Sequence, residues 1–595
     1  MEHFREVTDE GYHIRLDLRK QVLGISIPEE RKSSASDIPI FATLPIQPSA
    51  EFVSAGALAM KAKQFDDGLY AAVECAAQNG AGLYPGKAFL LTTLAQGLAE
   101  TASAGGTEAL AFILGACKLG GLHSAVPLSI EAAVEEKVSA FLLDELRSKP
   151  LGFYTWTPEL EVIFRQDRFL QSPLGDRFLE SPLGDRIVEK TLADIVRANS
   201  RLHDAYVVYL DLVSRLTNPP AKSDLRLFLA GADKDGSQHL PHEVFFFPPS
   251  RAHETDLVEK LYSDRPIPDS FSLMEELIAG IRSGDLHLSP SKQSGWYDYQ
   301  IWSIEPLVIP EKMPEAKRLQ LLERYTDHLL ELFKGVYAMA RETHAKQLDF
   351  GPAAMCAPSE PENEKIICIA PELSAEPLAT AYLRRALSYR FIHKVIVETF
   401  GNDALRQLYR LRPTGCSKLN LDEELIEMEA LFYGAHAVVS GQLGLPPDTH
   451  LEVGSGDGLE ADAVRFMEWA RSLERDEDLG QDARMMVPVF YDMLRGKTKV
   501  WMMLGWRIKA LSIYFATPPQ VVAIEPLGTA SSAAGPFRGI FSRQSQPKVV
   551  FTESEREIAC PVFAEAYVEK VLNRDEFRRH CNTFKTQAAI LANLA

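Results

Sequence analysis

Apolar residues fall into two patterns along the chain, and the change between them comes near Asp482. From Ala50 to Arg147, segments such as AFLLTTLAQGLAE and EALAFILGACKLG repeat apolar residues at i, i+3, i+4 between glycine-containing breaks, which predicts four or five short helices. The same period returns over 192–216 and stops at Asn218-Pro219-Pro220, since proline lacks an N–H and restricts the residue before it. A longer helix is predicted over 315–348, with the stripe Leu322, Tyr325, Leu329, Leu332, Phe333, Val336, Met339 and Ala340. Two more are predicted over 377–400 and 421–443, closed by Gly401-Asn402 and by Gly444. Another helical pattern spans 459–474.

Beyond Asp482 the runs MVPVFYD, KVWMMLGWRI and ALSIYFA are β-branched and aromatic, and MLRGKT separates the first two as a turn. KVVFTE reads as a further strand, and a short helix is expected around 575–581. The predicted fold class is therefore mainly α: a multi-helix body with a smaller C-terminal α+β domain containing an antiparallel β-meander. The expected units are short strands and a Pro/Ser-rich linker over 1–49, an α-helical domain over 50–150, a long-helix body over 151–448, and the α+β domain over 449–595. Within the last of these, 528–548 is rich in Gly, Ser and Ala and reads as a mobile loop.

One internal duplication stands out: RFLQSPLGD at 168–176 is followed directly by RFLESPLGD at 177–185. Nine residues are about two and a half helical turns, so an extra copy inside a helix would rotate everything after it by roughly half a circle. The S-P-L-G-D unit is therefore placed in a loop, where Pro and Gly set turns and added length carries only a modest closure entropy.

Composition narrows the class. Of 595 residues, 46% are hydrophobic and 24% charged, which excludes collagen-like and wholly disordered chains. The net charge of −19 opposes nucleic-acid binding unless a local basic patch overrides it. The N-terminal segment MEHFREVTDEGYHIRLDLRK has no apolar region of the secretory kind, and the most apolar window, 500–515, is interrupted by Gly505, Arg507 and Lys509. A soluble, cytoplasmic protein without membrane insertion is expected. Seven widely spaced cysteines with no C-x-x-C pattern are expected as reduced, mostly buried thiols.

Two segments offer candidate sites. LEVGSGDG at 451–458 resembles the first motif of the S-adenosylmethionine-dependent methyltransferases, a strand, a Gly-rich turn and a helix. That resemblance implies a cofactor or nucleotide site at Gly454, Gly456, Asp457 and Gly458, where glycines admit a ligand to the backbone and a helix N-terminus offers unpaired N–H groups. The acidic residue expected to close a second strand about 20 residues on has no counterpart here, because a helical pattern and the charged run ERDEDLGQD follow. In ADKDGSQHLPHE at 232–243, Asp233, Asp235 and Ser237 are spaced at i, i+2, i+4 like the oxygen ligands of a calcium loop, although position six is Gln238 and position twelve Val244. With His239, His242, His253, Glu254 and Asp256 nearby, this stretch could hold a divalent cation through Asp233, Asp235, Ser237 and His253.

Other polar and aromatic groups have plainer expectations. RETHAKQLD at 341–349 reads as a solvent-facing helix end with ordinary charge pairs. Phe153, Tyr154 and Trp156, and Trp296, Tyr297, Tyr299 and Trp302, are expected in the core. No G-x-S-x-G and no P-loop occurs, so phosphoryl transfer by the latter route is excluded. The leading expectation is an interaction or scaffold protein with a protein partner and no recognisable catalytic motif. The alternatives are a metal-dependent hydrolase using 233–256 and an S-adenosylmethionine or nucleotide binder at 451–458.

Overall fold

A computed structural model of the chain describes residues 53, 55–101, 104–174, 186–231, 241, 243–262, 272–318, 321, 323–348, 374–413, 415–448, 453–472 and 476–478, with the strand segments 6–9, 12–17, 22–26, 489–492, 497–516 and 551–568. Strands β1 (Glu6–Asp9), β2 (Tyr12–Asp17) and β3 (Val22–Ser26) form an antiparallel meander. The rest, up to Arg471, is predominantly helical, so the chain is mainly α as its periodicity predicts.

Helix α1 (Ala55–Asn79) runs through the middle of the body, buried on every side from Ala62 to Gln78 except at Cys75. Small residues let neighbours close in: a Cβ on Gly68 would stand 2.2 Å from the carbonyl oxygen of Leu411. Helices α2 (Lys87–Ala99), α3 (Ala104–Leu119), α4 (Glu131–Leu143) and α5 (Glu145–Ser148) follow. α6 (Pro158–Leu170) begins where Thr157-Pro158 directs it: the Thr157 hydroxyl accepts from the Leu160 amide at 3.2 Å, and proline occupies the first turn. Ser172, Pro173 and Leu174 of the first copy leave the helix as expected, with the Leu174 amide donating to the Val244 carbonyl at 2.7 Å; the remainder of the duplication, 175–185, lies outside the described residues.

The helical stretch expected over 192–216 comprises two helices, α7 (Ile187–Ala198) and α8 (Ser200–Leu216). Asn199 divides them: its backbone is extended and its side chain accepts from the Leu202 amide at 3.1 Å, a local hydrogen bond that competes with helix continuation. β4 (Ser223–Asp224), α9 (Arg226–Leu229) and β5 (Val244–Phe245) lead into α10 (His253–Tyr262), α11 (Leu273–Ser283) and α12 (Trp296–Ile304). α13 (Glu323–Thr343) is shorter than predicted, since 344–347 turn away at its end.

α14 (Ala379–Phe400) stops at Gly401, whose φ of 89° suits glycine, and α15 (Asn402–Leu405) follows. A hairpin of β6 (Tyr409–Arg412) and β7 (Gly415–Asn420) leads into α16 (Leu421–Gln442), which opens with a reciprocal cap between Asn420 and Glu423. α17 (Leu459–Arg471) packs on α16, and a Cβ on Gly434 would stand 2.0 Å from the Asp462 carbonyl oxygen. One contiguous set of buried apolar side chains extends from Val53 to Ala470.

The C-terminal meander is antiparallel, in the order β10 (Phe551–Val568), β9 (Lys497–Ala516), β8 (Val489–Asp492). KVWMMLGWRI and ALSIYFA form one strand, β9, because only Lys509 joins them and no turn-forming residue interrupts the run. The loop 528–548 and the helix expected near 575–581 lie outside the described residues. No helix among the described residues is long and apolar enough to cross a membrane.

Candidate functional site: a buried polar chain ending at an apolar cavity

Polar residues of α1 recur on one face: Lys63, Asp67, Tyr70, Glu74 and Gln78 are three or four apart, with Asp66 beside them. In an Ala-rich helix buried all round, that stripe must find partners inside the protein. Lys63, Asp66, Asp67, Tyr70 and Glu74 do so in two groups, whereas the Gln78 amide is buried without a partner.

The inner group is charge-balanced. The Lys87 ammonium lies 2.6 Å from both Asp167 oxygens, and Lys346 donates to Glu74 at 2.6 Å and to Asp167. Tyr154 and Tyr209 donate to Glu74 and Asp167 at 3.1 and 3.2 Å. Lys87, Asp167 and Lys346 are at most 1% exposed. Burial alone would raise the pKa of Asp167, but the Lys346 and Lys87 charges overcome it and hold the carboxyl below its ordinary value. Burial would likewise lower that of Lys346, and Asp167 and Glu74 overcome it, keeping the ammonium charged.

The second group is a hydrogen-bonded chain through His344. Gln300 Oε1, which can only accept, lies 2.9 Å from His344 Nε2, so that nitrogen carries the proton. Burial first, then the nearby Lys63 and Arg385 charges, depress the His344 pKa well below the usual value, so the ring is neutral. Its Nδ1 therefore accepts from the Thr217 hydroxyl at 3.1 Å, and Thr217 accepts from Tyr70 at 2.8 Å. On the other side the Gln300 amide donates to Asp66 at 3.0 Å, as does Tyr389 at 3.0 Å. Arg385 pairs with Asp66 through Nη2. Lys63 holds Asp67 at 2.7 Å; burial pushes the Asp67 carboxyl up to about 6, the Lys63 charge opposing and Glu342 adding to the rise.

This chain ends at a cavity. Leu58, Ala59 and Ala62 of α1, Leu332, Val336, Met339 and Ala340 of α13, and Ala381 and Tyr382 of α14 line a half-open cavity whose empty space, together with the solvent at its mouth, is about 630 Å³. Lys63, Asp66, Gln300 and Arg385 form its polar end. The α13 stripe explains the opening. Leu329, Phe333 and Tyr337 are at most 1% exposed in the core, whereas Leu332, Val336, Met339 and Ala340 are half-buried, apolar in excess of what neighbouring side chains cover.

The residues singled out in the sequence fall elsewhere. Asp233, Asp235 and Ser237, with His239 and His242, lie outside the described residues. His253 opens α10 with Nε2 3.1 Å from Asp298 Oδ1; burial lowers its pKa, but the Asp298 hydrogen bond and charge outweigh this and raise it. Among the described residues no group of three or more His, Cys, Asp or Glu side chains is placed to hold a metal ion. Gly454, Gly456 and Gly458 adopt φ values of 100°, 86° and 101° in a turn before α17. Three of its amides donate within the protein: Gly454 to Glu429 at 2.7 Å, Ser455 to Asp462 at 3.2 Å, and Asp457 to the Ser455 hydroxyl at 3.2 Å. Asp457 also pairs with Arg465.

The expectation for RETHAKQLD is corrected. Thr343, His344, Lys346 and Gln347 are at most 3% exposed, and Arg341 pairs with Glu254 at 2.9 Å. The helix ends at Thr343, so face arithmetic no longer places the residues after it, and the turn swings Lys346 inward to acids of α1 and α6. Phe153, Tyr154, Trp156, Trp296 and Tyr297 are buried as expected, and Tyr299 and Trp302 are partly buried. Of the described cysteines, Cys117 is buried, Cys75 half-buried with burial pushing its thiol up to about 12, and Cys416 exposed. The residues that assemble the site were missed. The signal that could have found them was the polar stripe of α1 within an otherwise apolar helix.

Comparison with protein-family models, with curated proteins and with solved structures gives no match.

Proposed function

We propose that this protein acts by binding, and that its helical body holds a small, largely apolar molecule in the cavity between α1, α13 and α14. The observation that carries this reading is the apolar stripe of α13, whose Leu332, Val336, Met339 and Ala340 line the cavity and are only partly buried. Apolar surface left uncovered is free energy available to a ligand, about 25 cal/mol per Å² removed from water. The titratable groups at the polar end are paired with one another, an arrangement that orients a ligand. Titration with N-phenyl-1-naphthylamine, an uncharged fluorophore that brightens in apolar surroundings, tests the reading. Saturable one-to-one binding is expected, lost in Ala340→Phe, which fills the cavity from a half-buried position. Unchanged binding in that variant would overturn it.

A second observation favours the interaction-protein reading. Leu142, Leu143 and Leu146 at the α4–α5 junction are 45%, 83% and 92% exposed, among exposed Glu136, Asp144 and Glu145. Clustered exposed leucines within acidic surroundings suit a basic amphipathic helix of a partner protein. A synthetic Leu/Lys amphipathic peptide is expected to bind the wild type and not the Leu143→Asp/Leu146→Asp variant. Equal binding to both would exclude this surface.

A further inference from the structure

The polar end of the cavity has donors to spare and no net charge to spare. Arg385 is 9% exposed and lines the cavity. Its hydrogen bonds all run through Nη2, to Asp66 and to the Tyr389 hydroxyl at 3.2 Å. Nε is buried without an acceptor, and Nη1 makes no hydrogen bond. A guanidinium carries five N–H donors and no acceptor, and the one on Nε is buried and unmet. Leaving buried donors unsatisfied is unfavourable by more than a hydrogen bond ordinarily contributes, and an acceptor on the ligand would remove that penalty.

The surrounding charges decide what kind of acceptor it is. Lys63 is balanced by Asp67 at 2.7 Å, and Arg385 by Asp66. A carboxylate brought into this group would add a negative charge without a counter-ion and face the desolvation penalty of an uncompensated buried ion, and an ammonium would meet carboxylates already paired with Lys63 and Arg385. A carbonyl oxygen supplies an acceptor with no net charge. Apolar walls and a hydrogen-bonding floor together describe an elongated apolar molecule with one carbonyl group.

We propose that the cavity selects uncharged apolar carbonyl compounds, ketones or esters, whose carbonyl oxygen accepts from the Arg385 guanidinium. This inference rests on the cavity reading above, and its test separates the two. Octane, 2-octanone, octanoate and octylamine, which share a chain and differ in head group, are each titrated against bound N-phenyl-1-naphthylamine. 2-Octanone is expected to displace the fluorophore about tenfold or more better than octane, the gain from a hydrogen bond to a charged donor, and better than either ion. Arg385→Lys keeps the charge opposite Asp66 but loses the guanidinium fork, and is expected to remove the advantage of 2-octanone over octane measured within that variant. Equal displacement by octane and 2-octanone in the wild type, or preference for octanoate or octylamine, would overturn the inference and leave the cavity standing. Failure of all four to displace the fluorophore would remove the cavity reading and this inference with it.

Discussion

Lys346 sits where its charge is shared between Glu74 and Asp167, and it has no contact with water. Replacing it by Met would leave Lys87 facing two buried carboxylates. Removing one partner of a buried ion pair costs about 3–5 kcal/mol because the remaining charge is uncompensated. Lys346→Met is therefore expected to lower the stability of the folded chain by an amount in that range, measured by urea unfolding at pH 7. A change below about 1 kcal/mol, the scale of an exposed pair, would mean that the group is hydrated. Nothing in the sequence marked this lysine. Its local pattern, THAKQ, is that of an ordinary helix end, and its partners lie 272 and 179 residues away.

At the scale of elements, the turn carrying Gly454, Gly456 and Gly458 is tied to α16 by Glu429, which accepts the Gly454 amide and is 2% exposed. Burial, first among its influences, pushes the Glu429 carboxyl up to about 7, with the Gly454 amide and Arg390 opposing. Between the ordinary carboxyl pKa near 4.5 and this value, the folded chain binds a proton that the unfolded chain has released. Stability from this group therefore falls as pH rises through that window. Glu429→Gln keeps an acceptor for Gly454 and removes the ionisation. The variant is expected to gain stability relative to wild type at pH 8 and little or none at pH 5, read from paired thermal melts; an equal difference at both pH values would refute the assignment. Element positions were the most legible part of the chain. Thr157-Pro158, Gly401 and the 421–443 period each specify a boundary through local backbone chemistry, and the folded chain places helix ends there. Asn199 was missed because its capping hydrogen bond competes with the helix locally while the apolar period runs on through it.

For the whole molecule, the mainly α class follows from periodicity, whereas the site depends on convergence. Arg385 meets Asp66 across 319 positions and His344 meets Gln300 across 44, pairings that no linear motif encodes. What was legible was surplus: a polar stripe on a buried helix and an apolar stripe on α13 wider than its core contact. Motifs at 233–237 and 451–458 drew attention because linear spacing is visible, while the cavity is built from helices far apart in the chain. The interaction-protein expectation and the cavity reading share one premise, that the helical body presents apolar surface for another molecule to cover. They differ in where that surface lies.

The measurement that bears most directly on this account is the position of a heavy-atom ligand in the folded protein. Crystals grown with 1-bromooctane, examined by anomalous scattering of bromine, are predicted to show a single strong site between Met339, Ala340 and Ala381. Bromine only at the α4–α5 leucines, or no ordered site in the cavity at saturating ligand, would contradict it.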